Sequence, residues 1–155
     1  MMPTTPFCLG FGSNLGDRAK NLSQAIAILG HTPEIKVLRV SSFLETSPIG
    51  VLGHPMYLNA AVLFETTLTL KKVFTLCQDI ETQLGRTSKG DLAPRTIDID
   101  LLFFGDICVE TPMLTLPHPR LHLRPFVLNS LLEVAPDWIH PILQKTPLAL
   151  KQAIL

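Results

Sequence analysis

Residues 97–104 read IDIDLLFF, and their reading decides the fold. Ile97, Ile99 and Leu101 alternate with Asp98 and Asp100, the period-two pattern of a strand with one apolar face. Asp98 and Asp100 then share the other face, with Cα atoms roughly 6.5 Å apart. Working outward, residues 86–96 (RTSKGDLAPRT) form a polar loop leading into this strand. Before it, residues 69–84 carry Leu70, Val73, Leu76, Cys77, Ile80 and Leu84 on one stripe, which predicts an amphipathic helix ended by Gly85. Residues 57–67 predict a strand, with helix as its rival. SPIGVLGHP (47–55) is a loop, and the branched residues of 35–46 predict another strand. Residues 6–12 predict a first strand, GSNLGD (12–17) a turn, and 18–29 a helix capped by Asn14 or Asp17 and terminated by Gly30.

Beyond the acidic strand, GDICVE (105–110) predicts a short return strand after a Gly-Asp turn. Four prolines forbid a regular helix over TPMLTLPHPRLHLRP (111–125). Residues 126–134 and the tail 147–155 predict two further helices. The order β-α-β-β-α-β, then a return strand and more helix, predicts an α/β (α+β) chain. Its helices pack on a mainly antiparallel sheet close to a ferredoxin-like arrangement.

The chain has 155 residues, which suits a single domain spanning 1–155. Its hydrophobic fraction of 46% and mean hydropathy of +0.32 are enough for a sizeable core. Thirteen Lys and Arg balance thirteen Asp and Glu, so no nucleic-acid or anionic-membrane partner is expected. No apolar run reaches membrane-spanning length, and MMPTTPFCLG lacks the flank and core of a signal peptide. Cys8, Cys77 and Cys108 are scattered without zinc spacing. They read as buried small residues in a reducing, cytoplasmic compartment.

Asp98 and Asp100 carry the sharpest chemistry. Taken alone, they also fit the solvent face of a half-buried strand. Arg86, Lys89 and Arg95 in the adjoining loop add phosphate-binding cations, and acids for a divalent metal beside such cations suit phosphoryl-type transfer. His118 is held between Pro117 and Pro119, near Arg124, where it can donate to phosphate. His118 and His122 have zinc-helix spacing, but Pro119 and the absence of the HExxH glutamate argue against that reading. Gly10, Gly12 and Gly16 match neither the dinucleotide fingerprint nor a P-loop. A non-enzymatic ferredoxin-like ligand-binding module and a metal-dependent phosphohydrolase are the rival readings.

GSNLGD (12–17), TSPIG (46–50), YLNAAV (57–62), DLAPRTIDIDLL (91–102) and LPHPRLHLRPF (116–126), in this order, resemble the 6-hydroxymethyl-7,8-dihydropterin pyrophosphokinases of folate biosynthesis. The resemblance runs from about residue 7 to residue 138. It implies a three-layer α/β/α sandwich that moves the pyrophosphoryl group of ATP to the pterin hydroxymethyl oxygen and releases AMP. It implies two Mg²⁺ ions held by Asp98 and Asp100, with Arg86 and Arg95 gripping phosphate. Gln78, Glu81, His118 and Arg124 would complete the ATP side. Thr46, Ile49, Tyr57, Asn59, Asp98 and Phe126 would form the pterin side, over a scaffold of Gly12, Ser13 and Asn14. Leu92, Ser88 and Pro119 stand where some members carry other residues. The implied enzyme is a cytoplasmic monomer acting on small molecules.

Overall fold

The computed structural model describes residues 3–47, 56–85 and 96–154. Strand β1 (Thr5–Ser13) leads into helix α1 (Arg18–Gly30), then β2 (Ile35–Val40), β3 (Leu44–Thr46) and β4 (Tyr57–Thr66). Helix α2 (Leu70–Gln83) precedes β5 (Asp98–Phe104), the short strands β6 (Val109–Glu110) and β7 (Thr115–Leu116), and a 3-10 turn at Leu121–Leu123. Helices α3 (Pro125–Val134) and α4 (Pro147–Ile154) complete the chain.

The main sheet runs β2-β4-β1-β5, with β3 also paired to β4, and every pairing is antiparallel. This is the split β-α-β of a ferredoxin-like fold. Each face of the sheet is covered, which gives three layers. On one face, Leu22, Ala25 and Leu29 of α1 and Val73, Cys77 and Ile80 of α2 pack on Phe7, Leu9, Phe11, Val62, Phe64, Ile97, Ile99 and Leu101. The Phe7 and Phe64 rings stack there at 5.0 Å. On the other face, Leu128, Leu131 and Val134 of α3 and Leu150 of α4 pack on Cys8, Ala61, Leu102 and Phe103. Trp138 stacks on Phe103 at 4.3 Å.

Local chemistry sets the helix ends. The Asp17 side chain accepts from the Lys20 N–H at 3.2 Å, and Thr69 accepts from the Lys72 N–H at 3.3 Å. Each supplies a partner for an otherwise unmatched N-terminal amide. Gly85 lies just past α2 with φ of +104°, a conformation that side chains resist.

Four expectations need correction. Residues 35–46 form two strands, because Ser41 breaks the run. Its hydroxyl accepts from the Ala61 N–H at 2.8 Å, while Glu133 of α3 accepts from the Ser42 hydroxyl at 2.7 Å. The return strand pairs with β7 instead of β5. Gly30 is the last helical residue, not a left-handed terminator; a Cβ there would meet Val37 at 3.2 Å, so its role is close packing of α1 on β2. Cys108 is exposed, unlike the buried Cys8 and Cys77. Burial pushes the Cys8 thiol far above its ordinary range, which leaves it an inert core residue. Among the described residues, no helix is long and apolar enough to cross a membrane.

Candidate active site

β5 is an edge strand, paired on one side with β1. Ile97, Ile99 and Leu101 are buried under α1 and α2, as the alternation predicts. Asp98 and Asp100 are half-buried on the opposite face, in line with Leu102. A β-bulge follows: Leu9 pairs with Leu101 but Cys8 pairs with Phe103, so Leu102 is the extra residue. The bulge lets Leu102 and Phe103 both join the core beneath α3. The acid face thus turns into packed core two residues past Asp100, at Leu102.

Across the sheet, Asp98 pairs with Gly12 and Asp100 with Gly10. Gly12 in turn pairs with Asn59, and Asn59 with Leu44. A Cβ on Gly12 would meet Asn59 Oδ1 at 3.2 Å and the Tyr57 ring at 3.4 Å. The missing side chain therefore keeps a low strip of sheet between Asp98 and the Tyr57–Asn59 pair. Asn59 Nδ2 donates to Thr46 Oγ1 at 2.6 Å, which fixes the amide and joins two predicted pterin residues across β3 and β4, and Thr46 pairs in register with a third, Tyr57. Below, Asn21 Nδ2 donates to Ser13 Oγ at 3.2 Å and to the Leu15 carbonyl at 2.9 Å, bracing the GSNLGD turn. Ser13 and Asn14 are buried, as a scaffold requires.

On the outer edge of β5 lies a cleft of about 280 Å³. Gln78 and Glu81 of α2, Asp100 and His118 line it, so four predicted residues meet there. Glu81 is only 4% exposed, and its Oε2 accepts from the Ile99 N–H at 2.8 Å. The His118 N–H donates to the Leu102 carbonyl at 2.9 Å, docking the proline-rich segment on the same edge. His118 Nδ1 accepts from the Arg120 N–H at 3.2 Å, so the neutral ring carries its proton on Nε2. Arg124 and Phe126 begin α3 on the acid face of the sheet and do not line this cleft. Arg86, Arg95 and Ile49 lie outside the described residues, as do Lys89 and Leu92.

The wall of the cleft that sequence reasoning missed is the β6–β7 hairpin: Thr111, Pro112, Met113 and Leu114. Thr111 closes it, with Oγ1 donating to the Leu114 carbonyl at 2.9 Å and accepting from the Leu114 N–H at 3.0 Å. The Thr-Pro dipeptide was the available signal for that turn.

No group of three or more His, Cys, Asp or Glu side chains placed to hold a metal occurs among the described residues. Two carboxylates on one strand face fit Mg²⁺, which takes one or two protein carboxylates and fills the rest of its shell with water and phosphate oxygens. They do not fit an all-protein zinc or calcium cage.

Fold and site together define a ferredoxin-like α/β/α sandwich with an acid-bearing edge strand beside an open cleft. A sequence model of the family described as 7,8-dihydro-6-hydroxymethylpterin-pyrophosphokinase (HPPK) matches residues 8–136, and the chain belongs to that family. It is 42% identical over 126 residues to the 2-amino-4-hydroxy-6-hydroxymethyldihydropteridine pyrophosphokinase of Bacillus subtilis (strain 168), covering 81% of this chain and 75% of that one. The enzyme of the same description from Synechocystis sp. is 38% identical over 146 residues, covering 94% of this chain and 74% of its own. The crystal structure of Plasmodium falciparum HPPK-DHPS wild type with pteroate matches with a TM-score of 0.77 at 16% identity. That match covers 97% of this chain but 42% of the longer one, and it speaks to the fold.

Proposed function

We infer that the chain is an ATP-dependent pyrophosphokinase of folate biosynthesis. It transfers the pyrophosphoryl group of ATP to the hydroxymethyl group of 6-hydroxymethyl-7,8-dihydropterin. The pterin oxygen bonds to the β-phosphorus, the Pα–O–Pβ bond breaks with its bridging oxygen leaving on AMP, and the hydroxyl proton passes to solvent. The observation that carries this reading is the pair Asp98 and Asp100, half-buried between the outer cleft and the Tyr57–Asn59 strip, in a chain 42% identical to a pyrophosphokinase.

The two regions separate the substrates. ATP occupies the cleft, with Gln78 on one wall beside Glu81, whose Oε2 is bonded to the Ile99 N–H, and with His118 donating from Nε2 to phosphate. Arg86, Arg95 and Arg124 add charge to the phosphate chain. The pterin lies over Gly12, where Thr46, Ile49, Tyr57, Asn59 and Phe126 surround it. The Asn59 amide, its Nδ2 held by Thr46 and the Leu44 carbonyl, presents its Oδ1 as an acceptor to the pterin edge, and the aromatic rings pack on the pterin's faces. Asp98 and Asp100 stand where the hydroxymethyl group and the β-phosphate meet. Two Mg²⁺ ions held by these carboxylates would neutralise the phosphate oxygens and polarise the pterin hydroxyl. The protein's contribution is then mainly alignment and charge compensation. We read the chain as one catalytic domain, a cytoplasmic monomer with neither nucleic-acid nor membrane partners.

Asp98→Ala and Asp100→Ala test the assignment. Each variant should keep its circular dichroism spectrum and lose AMP formation by at least a hundredfold, on the order of the loss of one charge-stabilising group. Near-normal turnover by both variants contradicts the metal role.

A further inference from the structure

Glu81 is one of seven buried polar or charged residues among those described, and the only buried carboxylate. Burying an acid is costly unless its oxygens are hydrogen-bonded. Its Oε2 is committed to the backbone N–H of Ile99, the residue between Asp98 and Asp100. That N–H is bonded to Glu81 on the side of β5 where, among the described residues, the main sheet has no further strand. Glu81 is also carried by α2, whose Val73, Cys77 and Ile80 are locked into the core under the same strand. Helix and strand edge are therefore joined by a rigid bond at the one peptide whose placement sets the direction of both acids.

We propose that Glu81 is a positioning residue: through Ile99 it fixes the edge of β5, so that Asp98 and Asp100 converge on the same phosphate and metal. This rests on the reading of the two acids as the metal-holding pair. Without that bond, the stretch around Ile99 can shift and twist between its pairing with β1 and the His118–Leu102 bond. A misplacement of about 1 Å at reacting groups costs about a hundredfold in rate. The bond predicts a loss in turnover in preference to a loss in nucleotide affinity, which separates it from a simple contact with ATP. The acceptor is an oxygen, and the amide oxygen of glutamine supplies the same geometry.

The test compares Glu81→Ala, Glu81→Gln and Glu81→Asp. In the ligand-free protein, Ile99 amide hydrogen exchange is measured by NMR; in turnover, kcat and the KM for ATP are measured with Mg²⁺ and saturating pterin. Glu81→Ala and Glu81→Asp, which remove or withdraw the acceptor, should unprotect the Ile99 amide. They should lower kcat by about 10- to 100-fold and change the KM for ATP by less than about threefold. Glu81→Gln should restore protection and recover most of kcat. A raised KM for ATP at unchanged kcat overturns the proposal, as does a Gln variant that is as slow as Ala while its Ile99 amide stays protected. If Ala fails to fold, the Asp and Gln pair decides alone. Loss of Ile99 protection with kcat unchanged overturns the positioning role only; near-normal turnover by Asp98→Ala and Asp100→Ala is what overturns the metal reading beneath it.

Discussion

Gly12 shows how much one absent side chain can control. Its φ requires no glycine, so the reason for the residue lies on the sheet face. A Cβ would enter the strip between Tyr57, Asn59 and Asp98 at 3.2–3.4 Å, tighter than ordinary contact. Gly12→Ala should therefore raise the KM for pterin by about tenfold, roughly 1.4 kcal/mol, and leave the KM for ATP within about twofold. Steady-state kinetics with each substrate varied in turn checks this. Equal changes in both constants would count against the separation of the two substrate regions. The acids themselves were legible in the sequence because strand periodicity assigns Asp98 and Asp100 to one face without tertiary information. Asn59, Thr46 and Gly12 are different. Nothing local says that β3, β4 and β1 bring them together on one face, and only the family resemblance brought Thr46 and Asn59 into the site.

At the scale of elements, legibility followed the range of the interaction. Helix α2 was readable because its stripe of apolar residues is a local signal. The split between β2 and β3 was not, since Glu133 reaches Ser42 from 91 residues away. Strand β7, the partner of the expected return strand, was missed for a related reason: it is two residues long, too short for a period to show. Its consequence is functional, because Met113 and Leu114 wall the cleft. The edge at β2 is managed differently from the edge at β5. Its register slips between Val37 and Arg39, and Lys36 and Arg39 are exposed along it, features that discourage pairing with another chain. The Thr69 cap allows a clean test at this scale. Thr69→Ala should cost about 1 kcal/mol. For a chain of this size that lowers Tm by roughly 2–4 °C. Calorimetry should show that shift with kcat preserved at 25 °C, and an unchanged Tm would remove the cap from the account of α2.

For the whole molecule, the layer of α3 and α4 carries an acid-sensitive element away from the site. His140 is buried, and its Nδ1 accepts from the Ile142 and Leu143 N–H groups at 3.2 and 3.1 Å. Burial, and secondarily the charge of His122 with its ring centroid 6.3 Å away, hold the His140 pKa below its ordinary 6.5. The unfolded chain therefore binds a proton at a pH where the folded chain does not. Stability from this group is complete above about pH 6.5 and is lost as pH falls from there through the folded pKa. His140→Asn keeps an oxygen acceptor and cannot titrate. Thermal melts between about pH 7.5 and pH 5 should show a smaller acid-induced fall in Tm for His140→Asn than for the parent chain; identical slopes would contradict the assignment.

The central claim is that one sheet brings ATP in the cleft and pterin over Gly12 to the same pair of carboxylates. Product analysis on the purified chain with ATP, Mg²⁺ and 6-hydroxymethyl-7,8-dihydropterin tests it most directly. The account predicts AMP and the pterin diphosphate in equal amounts, and neither when pterin or the divalent ion is withheld. Release of ADP, phosphate or pyrophosphate from ATP at the same rate with and without pterin would contradict it.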